Sequence, residues 1–171
     1  MEPSRSVKSI PRLSTFSFLL LQAVTFGIYA IVWLAERRDR INDLLKFEVI
    51  SSKSLKILSI LLGVSLFGDM IDLAGSAAGG EVEVVLGFAS SALNLPFWIY
   101  LIILTFRLIP PLQAYFNEKY GFKRINYNKF IAFFLCFTYL NYKINEAQDL
   151  ESYQEANPQQ PGFKTANFWG R

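Results

Sequence analysis

Phe16-Ser-Phe-Leu-Leu-Leu-Gln-Ala-Val-Thr-Phe-Gly-Ile-Tyr-Ala-Ile-Val-Trp-Leu-Ala35 runs directly into Glu36-Arg-Arg-Asp-Arg-Ile-Asn42. About twenty apolar residues suffice to cross roughly 30 Å of hydrocarbon as a helix. Ser14-Thr15 ahead of the run supplies a helix cap. A polar notch, Thr25-Phe26-Gly27, interrupts it, and glycine tolerates backbone angles that other residues resist. The run therefore has two readings, a spanning helix or a segment that dips into the bilayer and returns. Which one holds sets the topology of the whole chain.

The surrounding composition belongs to a membrane protein. Of 171 residues, 52% are hydrophobic and only 18% are charged, against about a quarter in an ordinary soluble domain. Sixteen Phe and eight Tyr make the chain strongly aromatic; Tyr favours the membrane interface, where a ring sits in lipid and a polar tip in water. A net charge of +3 argues against nucleic acid as a partner. The single cysteine, Cys136, precludes an intrachain disulfide. Arg5, Lys8 and Arg12 precede the first run, but it is longer than a signal-peptide core and no small-residue cleavage site follows. It is read as retained.

Apolar segments fall at about 16–35, 57–75, 84–109 and 130–141 within one membrane domain, 1–153, followed by a polar tail, 154–171. The second and third read as a transmembrane hairpin joined by an acidic turn at 76–83. Ser59 and Gly63 offer a small-residue face for another helix. Asn94 and Pro96 lie inside the third segment; the proline predicts a kink, and Pro110-Pro111 predicts its end. Beyond it, Leu112, Tyr115, Phe116 and Tyr120 predict an interfacial piece. The fourth segment is about half the length of a helical span. Residues 36–53 read as an amphipathic interfacial helix, with Glu36 and Arg40 spaced for an i, i+4 pair.

Charge decides between the topologies. If all four segments cross and the acidic turn is external, both basic termini are external as well. If the first and last are re-entrant, all seventeen Lys and Arg lie on the cytoplasmic side, as the positive-inside rule prefers. Against this, bends in lipid leave backbone groups unsatisfied unless protein covers them. The expected fold is thus an all-α integral membrane protein: a central two-helix hairpin flanked by two terminal apolar segments, re-entrant or spanning, with interfacial amphipathic helices. A short echo, Arg40-Ile41-Asn42-Asp43 and Lys143-Ile144-Asn145-Glu146, follows the first and last segments and raises the idea of a decayed repeat. Arg124-Ile125-Asn126 is a partial third copy.

Thr25-Phe-Gly-Ile-Tyr29, Trp33 and the charged run ending in Asn42 resemble a bacterial family of small membrane proteins, the family of domain of unknown function 4234. The resemblance covers roughly 13–148, with Phe26 replacing a smaller aliphatic residue. It implies a multi-pass protein of the bacterial cytoplasmic membrane and carries over no activity, substrate or catalytic residue.

Catalytic constellations are not expected. Histidine is absent, which removes Ser-His-Asp and Cys-His pairs. Neither a nucleophile elbow nor a phosphate-binding glycine loop occurs. Gly63-Val-Ser65-Leu-Phe-Gly68 lies inside a span and is read as packing. Asp69, Asp72, Glu81 and Glu83 lack a dense cation-binding motif. No enzyme activity, metal or cofactor is expected. The residues singled out for packing or function are Thr25, Gly27, Tyr29, Trp33, Asn42, Gly63, Asn94, Pro96 and Asn145, with Phe163, Phe168 and Trp169 as a docking element in the tail. The expected partners are the lipid bilayer and other membrane subunits or a second copy. The functional expectation is an accessory or scaffold subunit; a homo-oligomeric transport protomer and a membrane-shaping protein are the alternatives.

Overall fold

The computed structural model describes residues 6–120 and 125–157. Its elements are a 3-10 turn, Val7–Ser9, and helices α1 (Thr15–Val24), α2 (Ile28–Leu45), α3 (Ser52–Ala78), α4 (Gly80–Tyr120) and α5 (Lys129–Ala156). There is no strand among the described residues.

The opening run is not one helix. α1 ends at Val24, and Phe26 and Gly27 take positive φ values of 50° and 85° before α2 begins. A straight helix would hold Phe18 and Trp33 about 22 Å apart, yet their rings meet edge to face at 5.4 Å. Pro11, before the run, accepts a hydrogen bond at 2.9 Å from Arg37, after it. The run therefore folds back on itself as a hairpin.

α5 repeats the device. Cys136 leaves helical geometry (φ 40°, ψ −120°), so a two-turn arm precedes it and a longer arm returns. The Asn128 backbone N–H donates to the Tyr139 hydroxyl at 2.8 Å, joining the two sides of the bend. This bend explains the shortness of the fourth apolar segment.

α3 and α4 form the central antiparallel pair. Both are long and apolar enough to cross a membrane, and most of each apolar window is not buried within the chain. Large apolar side chains stand exposed along them, among them Phe67, Leu73, Val84 and Phe88. The helices meet through glycines: a Cβ on Gly68 would lie 3.1 Å from Leu93 Cβ, and one on Gly75 would lie 2.9 Å from Leu86 Cβ. Gly63, the expected contact, has nothing within 4 Å of such an atom. The close approach uses the i, i+7 pair Gly68 and Gly75 instead, on the α3 stripe that also buries Leu58, Leu62 and Ser65.

Several boundaries differ from the sequence reading. Pro110 and Pro111 do not end the third segment; α4 continues through them, and through Pro96, for about 61 Å. Each proline removes one helix hydrogen bond, but Leu108, Ile109, Leu112 and Phe116 around the pair are buried. Packing holds the helix where local propensity would stop it. The supposed interfacial piece after it is the last part of α4. The acidic turn shrinks to Gly79 and Gly80, both with positive φ, and Glu81 and Glu83 open α4. The charged stretch after Ala35 is no separate helix but the end of α2. Within it Glu36 pairs with Arg37 at 3.1 Å, while Arg40 donates to the Ser9 carbonyl. α5 extends to Ala156, past the expected start of the tail.

The tips of both bends stop partway along the central pair. Gly27 lies beside Leu62, and Cys136 lines the same space as Phe97 and Leu101. Six helical segments therefore run side by side at one end of the molecule. Among the described residues only α3 and α4 continue beyond the tips, and most large buried side chains (Trp33, Ile41, Leu108, Leu112, Phe116, Ile144) sit at the six-segment end.

Gly27 is the position where the first bend most needs its residue. Gly27→Val places a branched side chain at φ 85°, and left-handed backbone costs L-residues roughly 1–2 kcal/mol. Denaturant titration of purified protein should show a loss of that size. A variant as stable as the parent would show that the bend does not depend on glycine.

Candidate functional site

Two constellations stand out, a polar and aromatic knot at the six-segment end and a cavity above the tips. Trp33, fully buried, is the centre of the knot. Its indole N–H donates to Asn141 Oδ1 at 3.0 Å. Phe137 stacks on it at 6.0 Å and Phe18 meets its edge. The Arg37 guanidinium lies 5.0 Å from the ring centroid, a cation–π contact away from water. Burial pulls Arg37 below its usual pKa; Tyr29 and Glu36 oppose that shift.

Around the knot the chain ahead of α1 is bound as an extended strap. Asn141 and Asn145 both donate to the Leu13 carbonyl, at 2.9 and 2.7 Å. Gln148 donates to Val7 and Ile10 carbonyls at 3.1 and 2.7 Å. These three amides follow i, i+4, i+7 spacing and share one face of α5. They satisfy the Leu13 and Ile10 carbonyls, which lie outside the helices, and add a second donor to the Val7 carbonyl, which already accepts from the Ile10 N–H of the 3-10 turn. Glu151 extends the row: it accepts from Ser6 Oγ at 3.0 Å, from the Lys8 N–H at 3.3 Å, and from Lys119 of α4 at 2.7 Å. Lys8–Glu155 and Arg12–Asp149 ion pairs close the edges.

The cavity, about 480 Å³, lies between the bends and the central pair. Phe26, Leu62, Phe97, Trp98, Phe134 and Leu135 supply much of its wall. Gln22, Ser65, Asp69 and Thr138 are its polar groups. Thr138 Oγ1 donates to Gln22 Oε1 at 3.1 Å. Across the opening Ser65 donates to Asn94 Oδ1, and Asn94 Nδ2 donates to Asp69 Oδ1 at 2.9 Å.

The residues singled out in the sequence divide between these places. Thr25 joins α1 to α2, donating to the Leu21 carbonyl at 2.7 Å and accepting from the Tyr29 N–H at 3.0 Å. Gly27 lines the cavity. Tyr29 packs its ring against Phe18. Trp33 is bonded to Asn141, and Asn145 joins Asn141 on the Leu13 carbonyl of the strap. Asn94 bridges α3 and α4 beside the cavity. Pro96 sits exposed within α4. Gly63 faces open space, and Asn42 belongs to neither constellation. Its side chain holds the loop after α2, accepting from Val49 and Ile50 N–H at 2.9 and 3.0 Å. Asn42 and Asn145 thus do different work, and the two copies of the echo are not equivalent. Phe163, Phe168 and Trp169 lie outside the described residues.

The sequence reading missed Asn141, Gln148, Arg37, Gln22 and Thr138. The amide spacing Asn141, Asn145, Gln148 was a usable signal. Gln22 and Thr138 are single polar residues in apolar runs and become a pair only through the two bends.

No curated protein and no solved structure matches the chain. The family model for a domain of unknown function, DUF4234, matches residues 13–114, more than half of the 171. The matched span holds Thr25, Gly27, Trp33, Asn42, all of α3 and most of α4 and stops before α5, and by it the chain belongs to the DUF4234 family.

Proposed function

We propose that this chain is a non-enzymatic integral protein of the bacterial cytoplasmic membrane, serving as an accessory or scaffold subunit of a larger assembly. In this reading α3 and α4 cross the bilayer, the two bends re-enter from the cytoplasmic side, and the Gly79–Gly80 turn is external. Probes at residues 2 and 171 should both report the cytoplasm. Opposite sides for the two probes would exclude paired re-entry.

The observation that carries the subunit role is the unused small-residue face of α3. Ser59 turns its hydroxyl onto the Leu55 carbonyl of its own helix, and no atom stands within 4 Å of a Cβ built on Gly63. Such faces let a second helix approach closely in lipid. Native mass spectrometry after extraction in mild detergent should find the chain in a complex. Gly63→Leu should reduce that complex severalfold and leave the isolated fold intact, because the site is open. A stable monomer from the parent protein would refute the subunit role.

A second reading, membrane shaping, draws on the unequal cross-section. Six segments would occupy the cytoplasmic leaflet and two the outer one, a wedge in the plane of the bilayer. Vesicles reconstituted at high protein density should become smaller and more curved; unchanged vesicles count against the wedge.

A further inference from the structure

We propose that the cavity between the bends and the central pair binds a neutral membrane lipid with a free hydroxyl head, of the long-chain alcohol or diacylglycerol class. The proposal rests on the membrane placement given above, not on the subunit role. The cavity volume, about 480 Å³, lies within the roughly 300–1,000 Å³ typical of small-molecule sites. Phe26, Phe97, Trp98 and Phe134 give an apolar bed for a hydrocarbon chain. Phe26, Trp98 and Phe134 are also exposed on the outside of the helices, where lipid would enter.

The polar groups select the head. Asp69 is 13 residues beyond Lys56 and 10 before Gly79, which places it about 20 Å and about 15 Å along α3 from those points. That is well inside the hydrocarbon, where an ionisable side chain is costly without a partner. Asn94 engages only its Oδ1, so Oδ2 takes no part in that bond. Among the described residues no lysine or arginine lines the cavity. An anionic head, a phosphate or a fatty-acid carboxylate, would therefore meet an acidic side chain with no compensating cation. A charged ammonium would have to shed its hydration at this depth. A hydroxyl carries no charge and can donate to Asp69 Oδ2, which the Asn94 bond leaves unused.

The test uses the full chain in nanodiscs with photoactivatable hexadecanol and photoactivatable palmitate. The alcohol should label Phe26, Trp98 and Phe134 saturably, and at least fivefold more than palmitate does. Asp69→Leu should reduce the specific labelling at least fivefold. Ala23→Phe, which narrows the cavity at an exposed position without touching Asp69, should do the same and serves if Asp69→Leu does not fold. Equal labelling by palmitate, stronger labelling by a long-chain amine, non-saturable labelling, or cross-links from these positions to another protein chain would each overturn the site. Failure of this site, with both termini still cytoplasmic, leaves the membrane placement standing.

Discussion

Trp33→Ala is expected to lower the unfolding free energy by about 3–5 kcal/mol, the range for truncating a buried tryptophan. Three losses combine. The indole volume disappears from between Phe18 and Phe137, neither of which can move to fill it without disturbing a bend. Asn141 Oδ1 loses its donor, and an orphaned buried acceptor costs about 1–3 kcal/mol. The Arg37 guanidinium, 3% exposed, loses the ring on which it lies. Trp33→Phe separates these terms, since it keeps a ring for Arg37 and Phe137 but not the N–H; its cost should be about 1–3 kcal/mol. Equilibrium denaturation of the purified protein in mixed micelles measures both. If Trp33→Ala lies within 0.5 kcal/mol of the parent, Trp33 is not the centre of this core.

Much of this fold is legible in the sequence because its signals are local. The two long helices follow from apolar length, and the Thr25-Phe26-Gly27 notch marks where the first run could bend, though its length fits a span equally well. The fourth segment is visibly too short to span. What stays illegible depends on contacts between distant segments. Cys136 looks like any helical residue between Leu135 and Phe137; only the packing of Phe137 on Trp33 and the Asn128–Tyr139 bond give a reason for the chain to turn there. Pro110-Pro111 reads as a stop because propensity is local, whereas burial of Leu108, Ile109 and Leu112 is not. Gly63 and Gly68 are indistinguishable as helix glycines until the rotation of α3 against α4 is known. The knot was half visible: Trp33 and Asn145 stand out as an interfacial aromatic and an echoed amide, but what links them is Asn141 and the Leu13 carbonyl it shares with Asn145, and the strap around residue 13 carries no signal of its own.

That strap is the basis of the second large effect, expected at Glu151. Its side chain is 10% exposed and that of Lys119 25%, so the pair is mostly out of water, and breaking such a pair by truncation costs about 3 kcal/mol or more. Glu151→Ala leaves Lys119 and the Lys8 N–H without this acceptor, and amide hydrogen exchange at residues 7–10 should speed up along with the loss of stability. Acid should reproduce part of the effect. Burial by itself pushes the Glu151 carboxyl up, but hydrogen bonds from Lys119, Ser6 and the Lys8 N–H outweigh it, and the net pKa lies below the usual value. A carboxyl depressed in the folded state binds its proton more weakly there than in the unfolded chain. Its contribution is therefore complete above the unfolded value, about 4.3, and is lost as pH falls through the lower folded value. Between pH 7 and 5 this group should add no pH dependence, and below about 4.3 it should destabilise the parent progressively. Glu151→Gln should start less stable at pH 7 and flatten that acid limb. The comparison isolates Glu151 from Asp149 and Glu155, which are the same in both proteins. Parallel acid limbs for parent and Glu151→Gln would mean that Glu151 does not hold the strap by charge.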